Sequence, residues 1–294
     1  MSRRVCFFVA LAVAGAAAAQ APRTAPDMAT VTVHGARDPK KLNDEIDGFV
    51  GAITHGARTD GIARWYVPVC PLVAGLPLDQ AELLLQRISD AARFAEAPLA
   101  PEKCSPNLVV VATTSPHELL ERWSDKSPSL FNTRRGPFAV KRFMNSTQPV
   151  RTWYNSGDSC GERMASFQIQ ADILSVACRT SGMASRLSRT SVRVVSSAIV
   201  VVDKTQMSGL KVGQVADYVA MVALAEFVEP TALLPVPSVL NMFLDGAEPR
   251  PAGMSDWDKS FLHALYHSNP RNVGQVSEIR LEMFRTAVAA EPAQ

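Results

Sequence analysis

The chain has 294 residues, with 30 Lys and Arg against 28 Asp and Glu, 47% hydrophobic residues and five cysteines. Its near-neutral charge, with no basic tract beyond the short "NTRRGPFAVKRF", argues against a nucleic-acid binder, which needs a cationic footprint for phosphates. No apolar run later in the chain reaches the roughly 20 uncharged residues that a membrane-spanning helix requires.

The N-terminus reads "MSRRVCFFVALAVAGAAAAQAP". Arg3 and Arg4, an apolar run and the Ala17-Ala18-Ala19 triplet have the layout of a secretory signal peptide over residues 1–19. Its removal takes away two arginines and no acid, so the mature chain is expected to be neutral and to reside in the periplasm or outside the cell. Residues 20–37 lack periodicity and are expected to form an extended or disordered tail. Residues 38–294 are expected to form a single domain. Four cysteines remain after processing: Cys70, Cys104, Cys160 and Cys178. An even count in an exported chain predicts two disulfides, and closure between sequence neighbours favours Cys70 with Cys104 and Cys160 with Cys178. The absence of any C-x2-4-C spacing argues against a four-cysteine zinc site.

From Asp38 onward, "DPKKLNDEIDGFVGAIT" offers an N-cap aspartate, Pro39 at the first helical position and one apolar stripe of Leu42, Ile46, Phe49, Val50 and Ile53. "ARWYVPVCPLV" reads as extended, with Pro68 and Pro71 confining it to a sheet edge or irregular structure. "PLDQAELLLQRISDAARFAEAPLA" predicts a long helix capped by Asp79, and "NLVVVAT" a buried strand. "SPHELLERW" predicts a second helix with a capping box from Ser115 to Glu118. Strand, helix, strand, helix in this order suits a parallel crossover unit.

The middle segments "SPSLFNTRRGPFAVKRF" and "TQPVRTWYNSGDSCGERM" are rich in turn residues and are expected to be loops around one or two short strands. "SRTSVRVVSSAIVVVDK" is the longest strand signal. It is followed by "KVGQVADYVAMVALAEF", a helix apolar nearly all round and therefore buried. The C-terminal third is expected to be helical, with "PVPSVLNMF", "SDWDKSFLHALYH" and "QVSEIRLEMFRTAVAA" separated by Pro- or Gly-bearing turns. The predicted fold class is α+β: a small mixed sheet, from strands near residues 66, 108, 150 and 196, packed against helices.

On the buried helix, Gln214, Asp217, Tyr218 and Met221 recur at i, i+3, i+4 and i+7 and so share a face. A carboxylate there must meet a cation, a set of donors or a cleft. A structural partner is the simpler expectation, and removing Asp217 from a fully buried ion pair should cost roughly 3–5 kcal/mol. A binding cleft floored by these four residues is the other.

The segments "SAIVVVD", "GLKVGQVADYVAMVALAEF", "PSVLNMF" and "SDWDKSFLHALY" together resemble a family of uncharacterised exported proteins of Gram-negative bacteria. The order of elements is also similar to zinc metallopeptidases of the zincin type, in which the buried helix carries H-E-x-x-H. That resemblance places Ala216 and Ala220 of "ADYVA" where the histidines belong, which implies a degenerate architecture without the usual metal. His263 and His267, four apart in "HALYH", face one way on a helix and are the remaining candidates for metal ligands, although a histidine near a helix C-terminus is favoured by the helix dipole alone. There is no nucleophile elbow and no Gly-rich phosphate loop.

These readings lead to an exported, non-catalytic binding or envelope-associated protein without a cofactor, whose partner is an unidentified protein or envelope component. The alternative is a secreted hydrolase, metal-dependent through His263 and His267 or metal-free through Asp217.

Overall fold

A computed structural model describes residues 38–54, 61–131, 136–159 and 188–289. The expected signal peptide, the tail, Cys160, Cys178, His34 and His55 lie outside these residues. Elements follow in the order α1 (Pro39–Ile53), β1 (Arg64–Trp65), β2 (Pro71–Ala74), α2 (Leu78–Ala95), β3 (Leu108–Thr113), α3 (Pro116–Lys126), α4 (Pro137–Met144), β4 (Val150–Ser159), β5 (Val192–Asp203), α5 (Val212–Leu224), α6 (Asp256–His267) and α7 (Gln275–Ala289). The fold is α+β with a helical C-terminal part, as expected.

β5 organises the sheet. Along one side it pairs antiparallel with β4, from Val150 opposite Val202 to Ser159 opposite Val192. Along the other it pairs parallel with β1 near its start and with β3 near its end. β2 pairs parallel with β3 and forms the far edge. Pro71 opens that strand, where a missing amide costs no interior ladder bond. β2, α2 and β3 are thus the crossover unit anticipated from the N-terminal half.

Side chains alternate across this sheet. Val110, Tyr154, Ala198, Val200 and Val202 face the larger core, shared with α1, α2, α5, α6 and α7. Trp153, Ile199 and Val201 face a smaller one, closed by Leu120 of α3, Phe131 and Phe143 of α4. α2 and α5 lie against the strands, α6 packs on both, α7 on α6 and α1 on α7. α1 buries the five residues that its periodicity singled out, and Asp38 accepts the Lys40 amide at 2.9 Å.

The buried end of α5 poses a problem that its own sequence does not solve. The last carbonyls of a helix have no partner within it, and here water cannot reach them. Three aromatic side chains take that role: Tyr154 donates to the Val222 carbonyl at 2.6 Å, Trp65 Nε1 to Ala223 at 2.8 Å and Tyr266 to Leu224 at 2.6 Å. β4, β1 and α6 are thereby fastened to a single helix end.

Several local expectations are corrected. Asp79 lies in the first turn of α2 and does not cap it; Pro77 occupies the cap position. Ser115 precedes α3 without a side-chain capping bond, so the expected box is not formed. The strand expected near residue 150 runs on through Trp153, Tyr154, Asn155 and Asp158, which were expected in a loop, as the ten-residue β4, and α4 occupies another expected loop. Its register skips Ser196 of β5, whose hydroxyl donates to the Asn155 carbonyl at 2.9 Å.

Candidate functional site

Two loops rise beyond α5 and enclose a cleft of about 710 Å³. One runs through Leu233, Pro235, Val236 and Pro237, the other from Gly246 to Ser255, and Arg87 of α2 and Asp217 of α5 complete the lining. Prolines recur on both sides and stiffen the walls, whose surface mixes apolar side chains such as Leu233 and Val236 with polar ones such as Ser238, Asn241 and Glu248.

Asp258, at the start of α6, fastens the two loops together. Its side chain is fully buried. Oδ1 accepts the Ser238 hydroxyl at 2.6 Å, while Oδ2 accepts the Val239 and Ser255 amides, each at 2.8 Å. The Ser255 hydroxyl lies 2.8 Å from the same oxygen and 2.7 Å from the Pro237 carbonyl. Burial raises the carboxyl pKa above its ordinary value, and these donors oppose that rise. Ser255 and Asp258 also form a reciprocal capping box at the helix start. Serine followed three residues later by aspartate was visible in "SDWDKS", but the Ser238 partner, twenty residues upstream, was not.

The four residues of the expected polar face divide into two pairs. Asp217, 9% exposed, has Arg87 Nη1 3.4 Å from Oδ1 and accepts the Met254 amide on Oδ2 at 3.1 Å. Gln214 accepts the Lys211 amide at 2.9 Å and donates to the Pro251 carbonyl at 2.6 Å. These two therefore hold residues 251–254 against α5. Tyr218 turns inward, its ring edge-on to Phe243 with centroids 4.8 Å apart, and burial raises its hydroxyl pKa. Met221 is fully buried in the core. So the expected four-residue face is corrected: only Asp217 of the four lines the cleft, because a helix face about two turns long spans both a surface loop and the interior.

Ala216 and Ala220, where the peptidase resemblance would place histidines, are also fully buried. His263 and His267 stand elsewhere, at the C-terminal end of α6. Their rings stack with centroids 3.9 Å apart, and His267 Nε2 lies 3.2 Å from Oε2 of Glu96, the residue that caps α2. Nothing local in the sequence connects Glu96 with residues so far along the chain.

Cys70 and Cys104 form the expected disulfide, with Cα atoms 5.9 Å apart. Asn107 supports it by accepting the Cys70 amide at 2.7 Å and donating to the Pro68 carbonyl at 3.0 Å. Among the described residues, no helix is long and apolar enough to cross a membrane. Comparison of the chain with protein-family models, curated proteins and solved structures finds no match.

Proposed function

We propose that the protein is an exported, non-catalytic binding protein of the cell envelope, and that it binds its partner in the cleft between residues 233–238 and 246–255. The observation that carries this reading is how the cleft floor is used. Both oxygens of Asp217 are committed, one to Arg87 and one to the Met254 amide, so the carboxylate serves to shape a wall. A general base needs a lone pair directed at the reacting proton. The cleft volume is within the range of pockets that hold small ligands or a few residues of a chain.

The mixed walls, apolar at Leu233, Pro235 and Val236 and polar at Ser238, Asn241 and Glu248, favour a segment of a protein or envelope component that presents both apolar and polar groups. Arg87, whose side chain is 47% exposed, supplies a cation at one end for an acidic group beside that segment. Export is supported by the N-terminal sequence and by the Cys70–Cys104 bridge, which is typical of oxidising compartments.

Site-specific photo-crosslinking in envelope extracts tests the reading. A probe at Leu233, on the cleft rim, should give a discrete adduct. The same probe at Phe138, exposed on α4, should not. Adducts from both positions, or from neither, would refute a partner bound at the cleft.

A further inference from the structure

Among the described residues, one group of side chains has the chemistry and proximity to hold a metal ion: Glu96, His263 and His267, whose ligand atoms all lie within 4.8 Å of one another. We propose that they form a binding site for a divalent transition-metal ion of the zinc type, with two imidazoles and one carboxylate as protein ligands and a fourth position open to water. The site is independent of the cleft. Glu96 lies nine residues beyond Arg87 on α2, which is about 13 Å along the helix axis.

The His267 ring is oriented by its own helix. Its Nδ1 lies 2.8 Å from the His263 carbonyl. A carbonyl only accepts, so Nδ1 carries the proton. In the neutral ring Nε2 is then a bare lone pair. That lone pair faces the Glu96 carboxylate at 3.2 Å, which sets two acceptors against each other. A carbonyl bonded to the remote ring nitrogen is also the usual support that orients a ligating histidine.

With zinc–nitrogen and zinc–oxygen lengths of about 2.0–2.1 Å, tetrahedral ligands stand roughly 3.3 Å apart. The Glu96–His267 pair already matches that spacing. The widest pair needs to close by roughly 1.5 Å on the same reckoning, and because the two rings stack with 17° between their planes, the half-buried His263 ring must turn out of the stack to aim its lone pair at the same ion, while exposed Glu96 moves to meet it. Phe94 lies edge-on to the His263 ring at 6.2 Å and keeps one side of the group apolar.

The fold also favours positive charge at this place. Glu96 follows the last turn of α2 and His267 is the last residue of α6. Two helix C-termini, each with a partial negative charge, therefore supply ligands to one point. Glu96 moreover adopts a left-handed backbone with φ 59°, a conformation that glycine or asparagine takes more cheaply. Imidazole donors select zinc, copper or nickel over magnesium or calcium, and a mixed set of two nitrogens and one oxygen suits zinc.

The ordinary rival is an ion pair that forms when His267 takes a second proton. His117 and Glu121, 3.2 Å apart on α3, provide the internal control, because they form such a pair without a third ligand in the group. Purified protein, stripped with chelator, is titrated with zinc chloride by calorimetry, alongside His263→Ala, His267→Ala, Glu96→Gln and His117→Ala. A single zinc should bind per chain. Affinity should fall about tenfold or more in each of the first three variants, since even supporting residues of metal sites change affinity that much, and stay unchanged in His117→Ala. Cobalt(II) should give the intense visible absorption of a four-coordinate site in the parent and lose it in His267→Ala. Melting curves in chelator confirm that each variant is folded, and Glu96→Gln preserves shape if an alanine variant is not. No saturable binding, binding undiminished in the cluster variants, or an equal loss in His117→Ala would overturn the proposal. Failure here leaves the cleft reading intact, because crosslinking at Leu233 does not depend on metal.

Discussion

The carboxylate of Asp217 stands directly over Gly253, so that a Cβ on residue 253 would overlap its Oδ2 atom. The backbone at Gly253 is not left-handed, so the exclusion comes from this one side chain. Gly253→Ala should destabilise by about 1–3 kcal/mol as an overpacked site. Asp217→Ala should cost about 1–3 kcal/mol by orphaning the Met254 amide, less than the loss of a fully buried pair because Arg87 is half exposed. The double variant should lose less than the two together, with a coupling of about 1 kcal/mol or more. Urea unfolding of the four proteins measures this, and strictly additive costs would show that Asp217 does not fix the loop.

That pair also marks the limit of what the sequence reveals. The anomaly at Asp217 was visible as an acid on an apolar cylinder, but its partners lie on α2 and in a loop thirty-seven residues downstream, where no local pattern reports them. α1 was fully legible, since Asp38, Pro39 and the five apolar residues act within one helix. β4 was legible only at its start, near residue 150: Asn155, Ser156, Gly157 and Asp158 are turn formers by local preference, and pairing along the whole of β5 overrides it. In the same way α4 is only eight residues long, too short for periodicity to stand out, and packs through Phe143. Caps expected at Asp79 and Ser115 failed because a residue type permits capping without requiring it.

Asp258 should be the most sensitive polar position in the cleft region. Asp258→Ala removes the acceptor for the Ser238 hydroxyl and for the Val239 and Ser255 amides, and buried donors without partners cost about 1–3 kcal/mol each. A loss of at least about 3 kcal/mol is expected on that basis, read from the shift in the urea midpoint. A loss under about 1 kcal/mol would mean that water reaches these donors.

The aromatic cap on α5 gives a cleaner single-atom change. Tyr154→Phe deletes only the hydroxyl that satisfies the Val222 carbonyl and should destabilise by about 1–2 kcal/mol. Phe131→Tyr, which adds a hydroxyl in the smaller core, supplies a contrast in which a polar atom is buried without a prepared partner. Thermal melts should show both lowered. An unchanged Tyr154→Phe would show that the carbonyl needs no partner there.

Asp203 links stability to acid. Burial raises its carboxyl pKa, but donors from Thr205 and Gln206, the Thr205 amide and nearby Arg151 outweigh this and hold it below the ordinary value. The unfolded chain, with an ordinary pKa of about 3.9, therefore binds the proton first as pH falls. The stabilisation is complete above that value and disappears as the pH drops through the lower, folded one. The stability difference between the parent and Asp203→Asn should be constant from about pH 7 to 5 and should narrow below about pH 4. A difference that does not change down to about pH 2.5 would contradict the assignment.

The central claim is that the cleft between the two proline-bearing loops holds the partner, and filling the cleft tests it most directly. Ala252 lines the cleft and is exposed, so Ala252→Trp can occupy that space without disturbing the core. An unchanged melting temperature establishes that the fold is intact. Crosslinking from Leu233 is then quantified for the parent and the filled variant in the same envelope extract. The account predicts that the parent's adduct falls at least about tenfold, equivalent to about 1.4 kcal/mol of binding; an adduct of undiminished yield in Ala252→Trp would contradict it.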